Sequence, residues 1–86
     1  MKRKKFANKK ASHIAILEQK LLKLIKRYHP EISVFGRVIL EKADFNALAS
    51  FVRFTPSEVL ELAEDFRTLE ISNYGTRWIK VELKGG

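Results

Sequence analysis

Cysteine is absent from this 86-residue chain, which excludes disulfide scaffolds, zinc knuckles and thiol chemistry. Histidine occurs only at His13 and His29, too few for a histidine-built metal site or a proton relay. Glycine (4) and proline (2) are sparse, so no linker rich in either divides the chain. Gly36 and Gly75 stand alone and form no phosphate-cradling loop. No apolar run approaches the roughly 18 residues of a membrane span. Met1-Lys2-Arg3-Lys4-Lys5 is not followed by the apolar segment of a secretory signal. Carboxylates are outnumbered, with 10 Asp+Glu against 17 Lys+Arg and a net charge of +7. The remaining composition, 45% hydrophobic and 31% charged, belongs to one small folded domain. A cytoplasmic protein with a polyanionic partner and no membrane association is the first expectation.

Charge is distributed unevenly. Lys2, Arg3, Lys4, Lys5, Lys9 and Lys10 place six cations and no acid in the first ten residues. That stretch has one large apolar side chain, Phe6, and is expected to be a disordered basic arm over residues 1–11. Lys20, Lys23, Lys26 and Arg27 follow, against the single acid Glu18. The sign reverses over 55–70, where Glu58, Glu61, Glu64, Asp65 and Glu70 face Arg67 alone. A neutral or acidic body carries a basic N-terminal third.

Residues 12–84 read as the folded domain. A first helix is expected from Ser12, its N-cap, to Pro30, which offers no N–H and ends it. Ile14, Leu17, Leu21, Leu24, Ile25 and Tyr28 recur at helical spacing and form its inward stripe, with Lys20, Lys23, Lys26 and Arg27 facing water. Gly36 opens a short β-prone run, Val38-Ile39-Leu40. Asp44 is expected to cap a brief helix from Phe45 to Val52, with Leu48, Ala49 and Val52 inward.

Thr55-Pro56-Ser57-Glu58 is a strong helix start. Thr55 is the N-cap, Pro56 sits at N1, and Glu58 at N3 closes a capping box. The helix presents Val59, Leu62, Ala63 and Phe66 on one face. Beyond Leu69 the period falls to two, and Ile71, Ile79, Val81 and Leu83 alternate with polar neighbours around a turn at Asn73-Tyr74-Gly75-Thr76. Pairing Ile71 with Ile79, and Glu70 with Lys80, puts both apolar sets on one face of a hairpin.

The expected class is therefore α+β, three helices followed by a C-terminal β-hairpin. Ala47-Leu48-Ala49, Phe54-Thr55-Pro56-Ser57-Glu58-Val59, and then Phe66, Leu69 and Ile71 resemble the central pattern of the winged helix-turn-helix superfamily. The resemblance covers about residues 37–83, with 13–29 as the first helix. It implies that the Leu-Ala pair packs the second helix, that the Ser/Thr-rich turn caps the third, and that the hairpin is the wing. One departure is local: Val52-Arg53-Phe54 stands where the family often carries glycine in the inter-helix turn.

In DNA-reading members of that family the third helix enters the major groove. Carried over, that helix would run from Ser57 to Leu69 and expose Glu58, Glu61, Glu64, Asp65, Arg67 and Thr68. Duplex DNA carries one negative charge per ~1.7 Å of axis, so this acidic surface has the wrong sign. Glu61, Glu64 and Asp65 are expected instead to dock a basic protein partner.

Nucleic-acid contacts are expected from three other places. Lys2, Arg3, Lys4, Lys5, Lys9 and Lys10 on the arm join Lys20, Lys23, Lys26 and Arg27 on the first helix. The wing adds Arg77, Lys80 and an outward-facing Trp78 able to stack on a base or sugar. The leading expectation is a small nucleic-acid-binding protein that grips DNA or RNA backbone electrostatically with weak sequence selectivity. The alternative is an accessory subunit of a replication, transcription or ribosomal assembly, docked through its acidic third helix. Neither histidine has a carboxylate or nucleophile at useful spacing, so no enzymatic activity and no cofactor are expected. A monomer or weak dimer is expected, the one helical seam on offer being Ile16 and Leu22.

Overall fold

A computed structural model describes residues 11–84. The expected arm lies outside them, except for Ala11, which is already helical. Ile14, Leu17, Leu21 and Ile25 wind one face of α1, Ala11–Tyr28, onto the core. Two details of the expected helix change. Ser12 lies inside α1 rather than capping it, and the helix is held by its buried stripe. Tyr28 is exposed rather than inward, while Leu24 is half-buried.

Pro30 ends α1 as expected, but the chain does not then run straight into a strand. Pro30 seeds a short second helix, α2, Glu31–Phe35, so the described residues form four helices rather than three. Its single buried side chain, Ile32, leaves no periodic signal. Gly36 stops it at φ +81°, with its N–H on Ile32 O at 2.9 Å, a backbone conformation that glycine adopts without strain.

The strand β1, Arg37–Glu41, alternates exposed and buried residues, with Val38 and Leu40 inward. It passes directly into α3, Lys42–Phe51. This helix begins three residues before the expected start at Phe45. The N–H of Lys42 is taken by Arg77 O at 3.0 Å, and the N-cap residue Glu41 makes no side-chain cap bond. Asp44 is not the N-cap; it lies in the first turn, where a negative charge suits the helix N-terminus. Phe45, Leu48 and Ala49 are buried, and Val52 is half-buried just past the end.

The capping box forms as expected at the start of α4, Pro56–Ala63. Glu58 N–H donates to Thr55 Oγ1 at 3.2 Å, and Thr55 N–H donates to Glu58 Oε1 at 2.9 Å. Val59, Leu62 and Ala63 are buried. The helix then stops at Ala63, well short of Leu69. Phe66 is buried but lies beyond it.

Glu18 accounts for that stop. It sits on the inward face of α1 and is only 4% exposed. Its carboxylate accepts the N–H groups of Arg67 (3.2 Å), Thr68 and Leu69 (3.0 Å), together with the Thr68 hydroxyl (2.6 Å). In a continuing helix those same N–H groups would bond carbonyls four residues back. The end of α4 instead tightens, with Glu64, Asp65 and Phe66 donating to Glu61, Leu62 and Ala63. A side chain remote in sequence thus converts helix into the approach to a strand.

That strand, β2, Leu69–Tyr74, and β3, Trp78–Leu83, form the hairpin. With β1 they make an antiparallel sheet in the order β1-β3-β2. Ile71 stands opposite Val81 rather than Ile79, and Glu70 opposite Glu82 rather than Lys80. The shift of two residues keeps every side chain on its expected face. Its cause lies at both ends of the hairpin. Lys84 N–H on Thr68 O (2.9 Å) fixes the start of β2. At the other end Tyr74 remains in the strand opposite Trp78, and Gly75 opens the connection at φ +80°.

The inner face of the sheet carries Val38, Leu40, Leu69, Ile79 and Val81 into one core with the four helices. The outer face carries Arg37, Ile39 and Glu41 beside Glu82, Lys80 and Trp78. Among the described residues, no buried side-chain nitrogen or oxygen lacks a hydrogen-bond partner.

Candidate nucleic-acid interface

Lys20, Lys23, Lys26 and Arg27 are all exposed on α1. Ile16, Lys20, Lys23 and Arg27 follow one another at steps of four, three and four, so they share one helix face. Beside Lys20 lies a shallow groove of about 190 Å³, lined by His13, Ile16, Leu17, Lys20, Val52 and Phe54. The last two residues flank Arg53 in the turn between α3 and α4. The groove therefore joins the basic face of α1 to that turn.

Arg53 is the residue that sequence reasoning passed over. Its φ is +66°, in the left-handed region where glycine is usual. Arg53 N–H bonds Ser50 O at 2.9 Å and Phe54 N–H bonds Ala49 O at 3.0 Å, the paired closure of a Schellman motif. Arginine thus occupies a left-handed position usually left to glycine, and its side chain is exposed. The signal in the sequence was Val52-Arg53-Phe54 just ahead of the Thr55 cap, which reads at first only as a departure.

Aromatic surface accompanies these cations. Tyr28 stacks on Phe51 with ring centroids 6.4 Å apart, and Arg27 Cζ lies 5.8 Å from the Tyr28 ring centroid. Both rings are more than half exposed. This pair is where α1 and α3 end together.

The hairpin residues gather elsewhere. Arg77 lies in the connection, and Trp78 and Lys80 point from the outer face of the sheet, away from the helical layer that carries α1. Trp78 faces Tyr74 across the strands and remains 39% exposed. Lys80 Nζ sits 6.0 Å from the Tyr74 ring centroid and 3.7 Å from a Glu82 carboxylate oxygen. The structure brings Trp78 and Lys80 to one aromatic corner and does not bring them to α1. Lys2, Arg3, Lys4, Lys5, Lys9 and Lys10 lie outside the described residues.

The acids on the α4 side no longer belong to one helix. Glu61 is half-buried within α4, Glu64 is its C-terminal cap residue, and Asp65 lies in the turn beyond. Among the described residues no group of three or more histidine and acidic side chains could hold a metal ion. No helix among them is long and apolar enough to cross a membrane. No family model, curated protein or solved structure matches the chain.

Proposed function

We propose that this chain is a winged-helix protein that binds nucleic acid mainly by neutralising phosphates. The order α1, β1, α3, α4, β2, β3 follows the order of elements that the sequence resemblance implies, with α2 inserted, and β1 joins the hairpin in one sheet. The observation that carries the functional reading is the continuity of α1 with the α3–α4 turn. Lys20, Lys23 and Arg27 lie along one helix face, Val52 and Phe54 of the turn close the groove beside Lys20 with the exposed Arg53 between them in sequence, and Tyr28 and Phe51 offer ring faces where α1 and α3 end. Cations track a phosphate backbone, while exposed rings stack on bases or sugars with little regard to sequence.

The arm cations extend this surface, and Arg77, Trp78 and Lys80 form a second binding region on the wing. The surface around α4 is too acidic to lie in a groove, and Lys20 and Arg53 take its place as the binding face. The decisive experiment is a salt titration of binding to a labelled duplex and to a labelled single strand. Replacing Lys20, Lys23 and Arg27 together by Gln should lower the log–log salt slope on a duplex by about 0.9 for each phosphate left without its cation. An unchanged slope refutes the α1 face as the binding surface. A stoichiometric protein partner that survives nuclease in a pull-down would favour the accessory-subunit reading.

A further inference from the structure

We propose that the chain pairs with a second copy of itself through the open edge of β1, joining two sheets antiparallel about a two-fold axis at Ile39. In an antiparallel ladder, alternate residues turn both backbone groups towards the same neighbour. Leu83 N–H on Gly36 O (2.8 Å) and Lys42 N–H on Arg77 O (3.0 Å) set the phase of β1 against β3. Val38 and Leu40 share that phase and bond β3. Arg37, Ile39 and Glu41 consequently turn their N–H and C=O groups outward, where no described strand pairs with them.

The opposite edge of the sheet is different. Lys84 N–H on Thr68 O sets the phase of β2, which turns Leu69, Ile71 and Asn73 outward. The Leu69 N–H is already held by Glu18 at 3.0 Å, and Glu18 brings α1 against that edge. Among the described residues, no strand pairs with that side of β1.

The sequence of β1 is complementary to itself. With Ile39 on the axis, Ile39 meets Ile39 of the second copy, and Arg37 meets Glu41 of the second copy on both sides. These three pairs are the ones whose backbone groups face outward. Opposite charges directly across an antiparallel pair stabilise it, and like charges do the reverse. A register displaced by two residues would set Arg37 against Ile39 and lose both ion pairs. Charged residues usually protect a sheet edge from pairing, but opposite signs at symmetric positions select this one pairing. Beside the strand runs an open groove of about 390 Å³ lined by Glu31, Phe35, Arg37, Val38 and Ile39. Phe35, which lines this groove, is 73% exposed.

Sedimentation equilibrium of the full chain, freed of nucleic acid, tests the pairing. The wild type should show a reversible monomer–dimer equilibrium. Arg37→Glu and Glu41→Arg should each weaken it by roughly tenfold or more, since both symmetric pairs become repulsive. The double variant should recover most of the loss. Both residues are exposed, so thermal melting should show all three variants folded. Ile39→Pro removes an outward N–H that β3 does not use, and edge strands tolerate proline; it should be monomeric. A wild type that stays monomeric to its solubility limit overturns the proposal. So does a dimer indifferent to the single swaps, or one that the double swap fails to restore.

Discussion

Thr68 gives both its backbone N–H and its hydroxyl to one oxygen of Glu18, fifty residues earlier in the chain. Leu69 N–H shares that oxygen and Arg67 N–H takes the other. Burial is the largest influence on this carboxyl and by itself raises its pKa. The hydrogen bonds from the Thr68 side chain and from the backbones of Thr68, Arg67 and Leu69 together outweigh burial, and hold the group below its ordinary value of 4.5. One side chain thereby ends α4, starts β2 and fastens α1 to both.

Glu18→Gln should destabilise the fold by roughly 2–4 kcal/mol, because a neutral amide replaces a charged acceptor facing buried N–H groups. The loss should depend on pH. A carboxyl with a depressed native pKa contributes stability that is fully present above its unfolded value and disappears as pH falls through the native one. The gap in melting temperature between wild type and Glu18→Gln should therefore be widest above about pH 5 and narrow as pH drops below 4.5. A gap constant from pH 7 to pH 3 would contradict the assignment.

Arg53→Gly should raise stability by about 0.5–1 kcal/mol. Left-handed backbone costs a non-glycine residue roughly 1–2 kcal/mol, partly offset by the greater freedom of glycine in the unfolded chain. The same change removes an exposed cation from the turn that borders the groove, so on the proposed function nucleic-acid affinity should fall while melting temperature rises. Measuring both on one variant separates the two roles of this residue.

Phe66→Ala should cost roughly 3–5 kcal/mol and Leu48→Ala roughly 2–5 kcal/mol, since both side chains are buried in the common core. Thr55→Ala should cost about 1 kcal/mol through removal of the capping box. Urea denaturation gives all three. A Phe66→Ala protein as stable as wild type would remove the basis for packing the α4–β2 segment onto the core.

Deleting residues 1–10 should preserve cooperative melting, because the core draws on Ile14 through Val81. Duplex binding should weaken, and its salt slope should fall by about 0.9 for each phosphate that the arm neutralises. A slope that does not change would reduce the arm to a tail.

Replacing Glu61 by Gln, Glu64 by Gln and Asp65 by Asn in one variant separates the two readings of the acidic region. If α4 faces away from nucleic acid, affinity should rise only slightly, since charges are screened over about 8 Å at physiological salt. Sequence preference should stay the same. If these acids dock a basic partner, capture of that partner should fall sharply while nucleic-acid binding holds.

Features encoded within a few residues were legible from the sequence. The Thr55–Glu58 box, the Ile14–Leu17–Leu21–Ile25 stripe and the in–out parity of the hairpin each rest on neighbours three, four or two residues away. Glu18 was not legible, because every group it binds is about fifty residues distant and a lone glutamate among lysines resembles a solvated one. The same distance hid the end of α4, where periodicity carries on to Phe66 although the helix does not. α2 escaped notice because one buried isoleucine makes no pattern. In the candidate site the α1 cations were legible from periodicity. The left-handed backbone of Arg53 was not, since glycine is the residue that ordinarily marks such a turn.

The inequality of the two sheet edges sets how far strand addition can proceed. A sheet extensible at both edges can polymerise, each added copy offering a fresh edge to the next. Here Glu18 occupies the Leu69 N–H on the β2 edge, while Ile71 and Asn73 still turn backbone groups outward, so the proposed pairing through β1 would consume that edge in both copies and leave β2 blocked at its first residue alone. The pair would then be one sheet of twice three strands with β2 at both outer edges, and further strand addition would have to begin beyond the residue that Glu18 holds.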